Sequence, residues 1–188
     1  MTRVLIWVLF GLYSSSAYCG SVSHYVGDKQ CNIEFDYPSN WQVTRLPNEK
    51  DVTCKIQIRR KDYLERMKKN GDSEDSYTLV LQVFDLSFLW AADQSGFDFY
   101  QGEWATIGRQ GMRDTATVIK TKRWSGVKGV ATAGCVLSKP IDGVGVVPCN
   151  EYRAVLQDDY NDVWALSGGT DTEPAFEMIL SSFKFSGN

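Results

Sequence analysis

Residues 33–43, running from Ile33 to Val43, restrict what this chain can fold into. Ile33, Phe35 and Tyr37 alternate with Glu34 and Asp36, the period of a strand with one buried face. Pro38 has no N–H to give a ladder, so the strand ends there. Ser39 and Asn40 supply turn chemistry. Trp41 then brings a large apolar surface back towards the core, and Gln42-Val43-Thr44 begin a returning strand. At the far end, Phe176 to Phe185 reads as an apolar helix running into a short aromatic strand. The two ends are expected to pack together and enclose the rest.

The beginning of the chain reads as a targeting signal. Arg3 is the only charge before the apolar run Val4 to Tyr13, and the small residues Ser14 to Ala17 follow. This is the order of a secretory signal, and the run is about half of the roughly 20 apolar residues that a membrane span needs. The expected division is a signal peptide over residues 1–17 and a single domain over 18–188. Tyr18 stands before Cys19 where a lipid-anchoring signal wants a small residue, so the protein is expected to be periplasmic or secreted without a lipid anchor. No second run is long enough to span a membrane. Twenty Lys and Arg against 23 Asp and Glu give a net charge of −3, and acids interrupt the basic clusters at Arg59-Arg60-Lys61 and Lys68-Lys69. Neither feature favours a nucleic-acid partner.

Cysteines in an exported chain are read first as disulfides. They stand at 19, 31, 54, 135 and 149. Cys135 and Cys149 are equidistant from Asp142, and Asp142-Gly143 is a hairpin-turn dipeptide, so these two can face each other across a hairpin. A two-residue turn would set position 135 against 150, so the match requires a bulge or a longer loop. Cys31 and Cys54 each begin a strand, and neighbouring strands would bring them together, although Cys19 competes for Cys31 if it survives cleavage.

Between these landmarks the pattern changes several times. Tyr63, Leu64 and Met67 sit at helical spacing, and Asn70-Gly71 stops that helix. Residues from Thr78 onward read as a central strand. Phe97, Tyr100, Trp104 and Ile107 follow a helical face from which Phe99 departs, which makes Phe99 and Tyr100 candidate partner-binding residues. From Thr115 the chain is β-rich, punctuated at Ser125-Gly126 and Asp142-Gly143. Asp158, Asp159 and Asp162 mark an acidic hairpin tip, a second candidate contact point. Thr172 and Pro174 make a helix start.

The opening Phe35-x-Tyr37-Pro38-x-x-Trp41 and the closing Phe176-x-x-Ile179-Leu180-x-Ser182-Phe183-x-Phe185 resemble the PsbP/Mog1-like superfamily. The resemblance implies an α+β fold, an α/β/α sandwich around a mainly antiparallel sheet. It implies little chemistry, because members range from a photosystem subunit to a Ran-binding factor and chaperones. The four cysteines paired above are not part of that pattern.

Catalytic constellations are poorly represented. His24 is the only histidine, so a Ser-His-Asp triad has one place to be. Ser181 and Lys184 have the S-x-x-K spacing but no S-D-N or K-T-G partner. No CxxC pair is present, and the aspartates at 158–162 lack the calcium-loop pattern. The expectation is therefore a non-enzymatic extracytoplasmic module that binds or stabilises another protein, with no cofactor and no metal. The alternatives are an immunity protein that neutralises a delivered toxin and a hydrolase with an unrecognised site.

Overall fold

The computed structural model places residues 20–85, 87–141, 144–159 and 162–185. The expected signal peptide, Cys19 and the Asp142-Gly143 turn lie outside these described residues. The elements are β1 (Val22–Val26), β2 (Ile33–Pro38), β3 (Trp41–Leu46), β4 (Val52–Arg60), α1 (Tyr63–Asn70), β5 (Thr78–Phe84), α2 (Phe88–Gln94), β6 (Phe97–Tyr100), β7 (Glu103–Ile107) and β8 (Arg113–Thr115). They continue with β9 (Thr117–Lys120), β10 (Trp124–Ile141), β11 (Val144–Asp158), β12 (Val163–Gly168), α3 (Glu173–Ser182) and β13 (Lys184–Phe185).

These strands form three antiparallel sheets. The main sheet runs β3-β4-β5-β12-β11-β10-β9, and two smaller sheets run β1-β2-β13 and β6-β7-β8. With 55% strand and 23% helix, the fold is β-rich and not the α/β/α sandwich expected from the sequence. One face of the main sheet is covered by α3 together with β1-β2-β13. The other is covered by α2 together with β6-β7-β8. Each cover is thus partly sheet, where the sandwich would have had helices alone.

Two local causes underlie the correction. Gln101 and Gly102 both adopt positive φ, 53° and 87°, and turn the chain back on itself. The aromatic residues that match helical spacing therefore lie on the β6–β7 hairpin. The second cause is at Pro38. Strand β2 does end there, but the chain leaves its sheet: β2 pairs with β1 and β13, whereas β3 pairs with β4.

The first core lies between the main sheet and the α3 layer. Ile33 and Phe35 of β2, Ile56 and Ile58 of β4, Leu79 and Leu81 of β5, and Trp164 and Leu166 of β12 are all at most 1% exposed. On α3, Ala175, Phe176, Ile179 and Leu180 are buried, a single stripe at i, i+1, i+4 and i+5. Burying each large side chain here stabilises by roughly 1.5–3 kcal/mol. The closing strand fulfils its expected place, with Lys184 opposite Glu34 and Phe185 opposite Ile33.

Cys31 bonds to Cys54 and Cys135 to Cys149. These are the pairs read from the sequence, but the geometry of each differs from the reason given for it. Cys31 precedes β2 and Cys54 lies in β4, so the first bridge joins two sheets and not two neighbouring strands. In the hairpin, Cys135 stands opposite Val147 and Cys149 opposite Ala133. The second bridge is therefore diagonal across one face. The expected irregularity exists and lies between Val136 and Ile141, after which Ile141 pairs with Val144.

Strand β10 also absorbs the expected turn at Ser125-Gly126. The chain turns earlier, where the Thr121 hydroxyl accepts from the N–H groups of Arg123 and Trp124. Gly126 serves packing instead, because a Cβ there would meet the Val155 carbonyl oxygen at 2.1 Å. Beyond their pairing with β9 and β12, β10 and β11 continue as a two-stranded arm that carries the Cys135–Cys149 bridge.

Candidate functional site

Helix α2 is short and its inner side is small. The Ser87 hydroxyl accepts from the Trp90 N–H, which fixes the first turn. Ala91 and Ala92 are fully buried, while Leu89 and Trp90 project outward at 66% and 39% exposed. Gly96 then carries the chain into β6 with φ 72°, and a Cβ at that position would meet Arg153 Nη1 at 2.2 Å. The left-handed φ is what favours glycine here, and the space a Cβ would take is filled by the Arg153 guanidinium.

On the hairpin, Phe97 is buried against the main sheet, whereas Phe99 and Tyr100 nearer the turn are 54% and 57% exposed. Phe99 lies opposite Trp104, with ring centroids 5.1 Å apart, and Trp104 meets Phe88 of α2 edge-on at 5.8 Å. This run of rings ties the hairpin to the helix. The Arg113 guanidinium lies 5.1 Å over the Tyr100 ring and also pairs with Asp98. Met112, just before β8, is 49% exposed. Leu89, Trp90, Phe99, Tyr100 and Met112 together give this one layer an unusual share of the exposed large apolar side chains.

Beside these residues is a cleft of about 800 Å³ between the layer and the main sheet. Gln82, Ala165, Ser167, Glu151 and Arg153 form its floor, and Asp93, Asp98 and Arg113 stand on its wall. Arg153 Nη1 donates to the Ile107 carbonyl at 2.9 Å and Nη2 to Glu151 at 2.7 Å. The cleft is polar and nearly balanced in charge, and Phe84 and Phe97 are the aromatic residues among its lining. Such a surface can receive a protein segment through ring packing and hydrogen bonds.

The residues named from the sequence fall in two places. Phe99 and Tyr100 belong to this layer, but as strand residues and not as part of a helical face. Asp158 and Asp162 belong to the turn between β11 and β12, where the Asp162 N–H donates to the Asp158 carboxylate at 2.9 Å. Burial, with the Asp158 charge adding to it, pushes the Asp162 carboxyl above its ordinary value. Asp159 follows in the same turn. The acidic tip and the aromatic hairpin are therefore separate features on different sheets. Sequence reading missed Leu89, Trp90 and Met112. The available signal was Ser87 as a cap followed by two large apolar residues and then two alanines.

His24 lies on β1, away from this layer, with Nδ1 2.7 Å from Asp36 and Nε2 3.7 Å from Glu34. Among the described residues no three His, Cys, Asp or Glu side chains gather as metal ligands would. No helix among them is long and apolar enough to cross a membrane, and the two disulfides fit an oxidising environment. No known protein-family model matches the chain, and no curated protein does.

Proposed function

We propose that this protein is a non-enzymatic extracytoplasmic module that binds another protein through the layer formed by α2 and β6-β7-β8. The observation that carries the reading is the concentration of exposed Leu89, Trp90, Phe99, Tyr100 and Met112 on the one layer that also walls a polar cleft. Aromatic side chains and methionine are enriched at protein interfaces, because they bury much area for little ordering cost. The disulfides and the signal-like beginning of the chain support export to a compartment such as the periplasm.

A photoreactive amino acid placed at Tyr100 tests this in the native envelope. One discrete protein adduct is expected, and it should disappear when Trp90→Ala and Phe99→Ala are added. The same probe at Leu64 on α1, which is also 55% exposed, is expected to give no such adduct. Identical adducts from both positions, or none from Tyr100, would refute the assignment.

A further inference from the structure

We propose that the free edge of β9 and the cleft next to it receive an extended acidic segment of a protein partner by strand addition. This surface is distinct from the aromatic layer, since it opens on the opposite face of the main sheet. Three independent observations meet there.

The first is a backbone edge. Among the described residues, β9 ends the main sheet and pairs on one side only, with β10. The Thr121 N–H bonds to the Trp124 carbonyl at 2.9 Å and closes the turn between the two strands. Antiparallel pairing alternates, so Ile119 and Thr117 are the next residues bonded to β10. The N–H and C=O groups of Val118 and Lys120 therefore point outward, ready to pair with an incoming strand.

The second is a receptacle for side chains. A cleft of about 590 Å³ lies beside Ile119, floored by Trp124, Leu180 and Phe183. Ile119 is half-buried and packs against the first core, so the cleft lies on the α3 side of the sheet. A strand added to β9 presents alternate side chains to that side. Its apolar residues would enter the cleft.

The third is charge. Lys122, Arg123 and Lys184 rim the cleft and have no ion-pair partner among the described residues. Lys128 is different, since both Glu177 oxygens hold its ammonium at 2.7 and 2.8 Å. This local excess of cations stands on a chain whose net charge is −3. Lysine on an edge strand can serve only to prevent self-association. That role does not require cations on the turn and on β13 to converge over an apolar cleft.

The test uses the full mature chain with both disulfides formed. The probe is a short blocked peptide whose central Val-Thr-Phe-Thr-Val run presents its apolar residues to the cleft and whose ends carry glutamates for Lys122, Arg123 and Lys184. Binding is followed by titration, and amide hydrogen exchange is measured residue by residue. The expected result is slowed exchange at the Val118 and Lys120 amides and salt-sensitive affinity. Lys122→Glu with Arg123→Glu, both on the exposed turn, should weaken binding by about tenfold or more. A peptide with alternate amides N-methylated should fail to bind. Four results would overturn the proposal: no binding, binding without protection at Val118 and Lys120, affinity unchanged in the double variant, or equal binding of the methylated peptide. If dodecanoate fills the cleft while the acidic peptide leaves the edge amides exchanging freely, the site belongs to small amphipathic anions and the strand-addition reading is wrong.

Discussion

The two faces of the main sheet are covered with different materials. The α3 side is built from large side chains, among them Phe35, Trp164, Phe176 and Ile179, all within 1% of complete burial. The α2 side is built mainly from small ones: Ala91, Ala92, Ala116 and Ala165 with Val127, Val155 and Val163. Phe97 is buried among them and Phe84, Phe88 and Trp104 are partly buried, but the rings of Phe99 and Tyr100 are left in solvent. The first face therefore carries most of the packing energy. The second has a thin cover, and the same thinness leaves Phe99 and Tyr100 exposed. A sheet with two stabilising faces would have none to spare.

Truncating large side chains of the α3-side core is the strongest way to break this contrast. Trp41→Ala and Phe176→Ala should each cost ~3–5 kcal/mol, because both side chains are at most 3% exposed and the vacated volume cannot be refilled. Chemical denaturation measures this directly. A loss below ~1 kcal/mol at Phe176 would mean that the α3 side is not the energetic centre.

The disulfides divide along similar lines. Replacing Cys31 and Cys54 by alanine should cost ~3 kcal/mol, and the bridge is buried between two sheets. Cys135 and Cys149 are half-exposed on the arm. A mild dithiol reductant should therefore open Cys135–Cys149 first, since thiolate attack needs access to sulfur. Alkylation and peptide mass mapping over a reduction time course give the order. Simultaneous opening would show that reduction proceeds through global unfolding.

Alkaline pH probes the β5 end of the first face. Tyr77 is fully buried, and its hydroxyl donates to Asp72 at 2.6 Å. Burial, followed by the Asp72 carboxylate, pushes its pKa up to about 12. A group raised above its unfolded value contributes stability that is present below the unfolded pKa near 10 and is lost as pH rises towards 12. Thermal unfolding should show that loss, and Tyr77→Phe should remove most of it, an effect of order 2 kcal/mol at most.

The smallest expected change is on the α2 side. Phe99→Ala and Tyr100→Ala should each cost ~1 kcal/mol or less, since only a ring contact and a cation–π contact are lost. A loss of ~3 kcal/mol at either position would mark a packing role and erase the difference between the faces.

The local pattern was legible wherever one period dominated. Ile33, Phe35 and Tyr37 announced a strand, and the helix ending at Asn70 was marked by Gly71, which does adopt a left-handed φ of 78°. One cysteine pair followed from coarse arithmetic and the other from an expected adjacency of strand starts, even though the first bridge proved diagonal and the second inter-sheet. The layer that forms the candidate site was hidden because Phe97, Tyr100, Trp104 and Ile107 fit a helical period while the chain obeys a two-residue turn at Gln101-Gly102. Alternation also cannot say which sheet a strand joins. Nothing in residues 33–43 records that β2 and β3 part company at Pro38, since that choice depends on β13, far along the chain.

The pairing of β2 with β13 has a consequence for how the molecule is made. A chain that leaves a ribosome or an export channel delivers Ile33, Phe35 and Cys31 long before Phe176 and Phe185. Until residues 173–185 emerge, the large apolar face lacks the part of its cover that α3 and β13 supply, and β2 has an unsatisfied edge. During that interval the nascent chain exposes its stickiest surface, and the Cys31 and Cys54 thiols stand open to oxidation with any partner at hand. The arrival of α3 and β13 thus decides when the protein becomes safe from aggregation, and a ribosome stalled before α3 would release a chain that chaperones must hold.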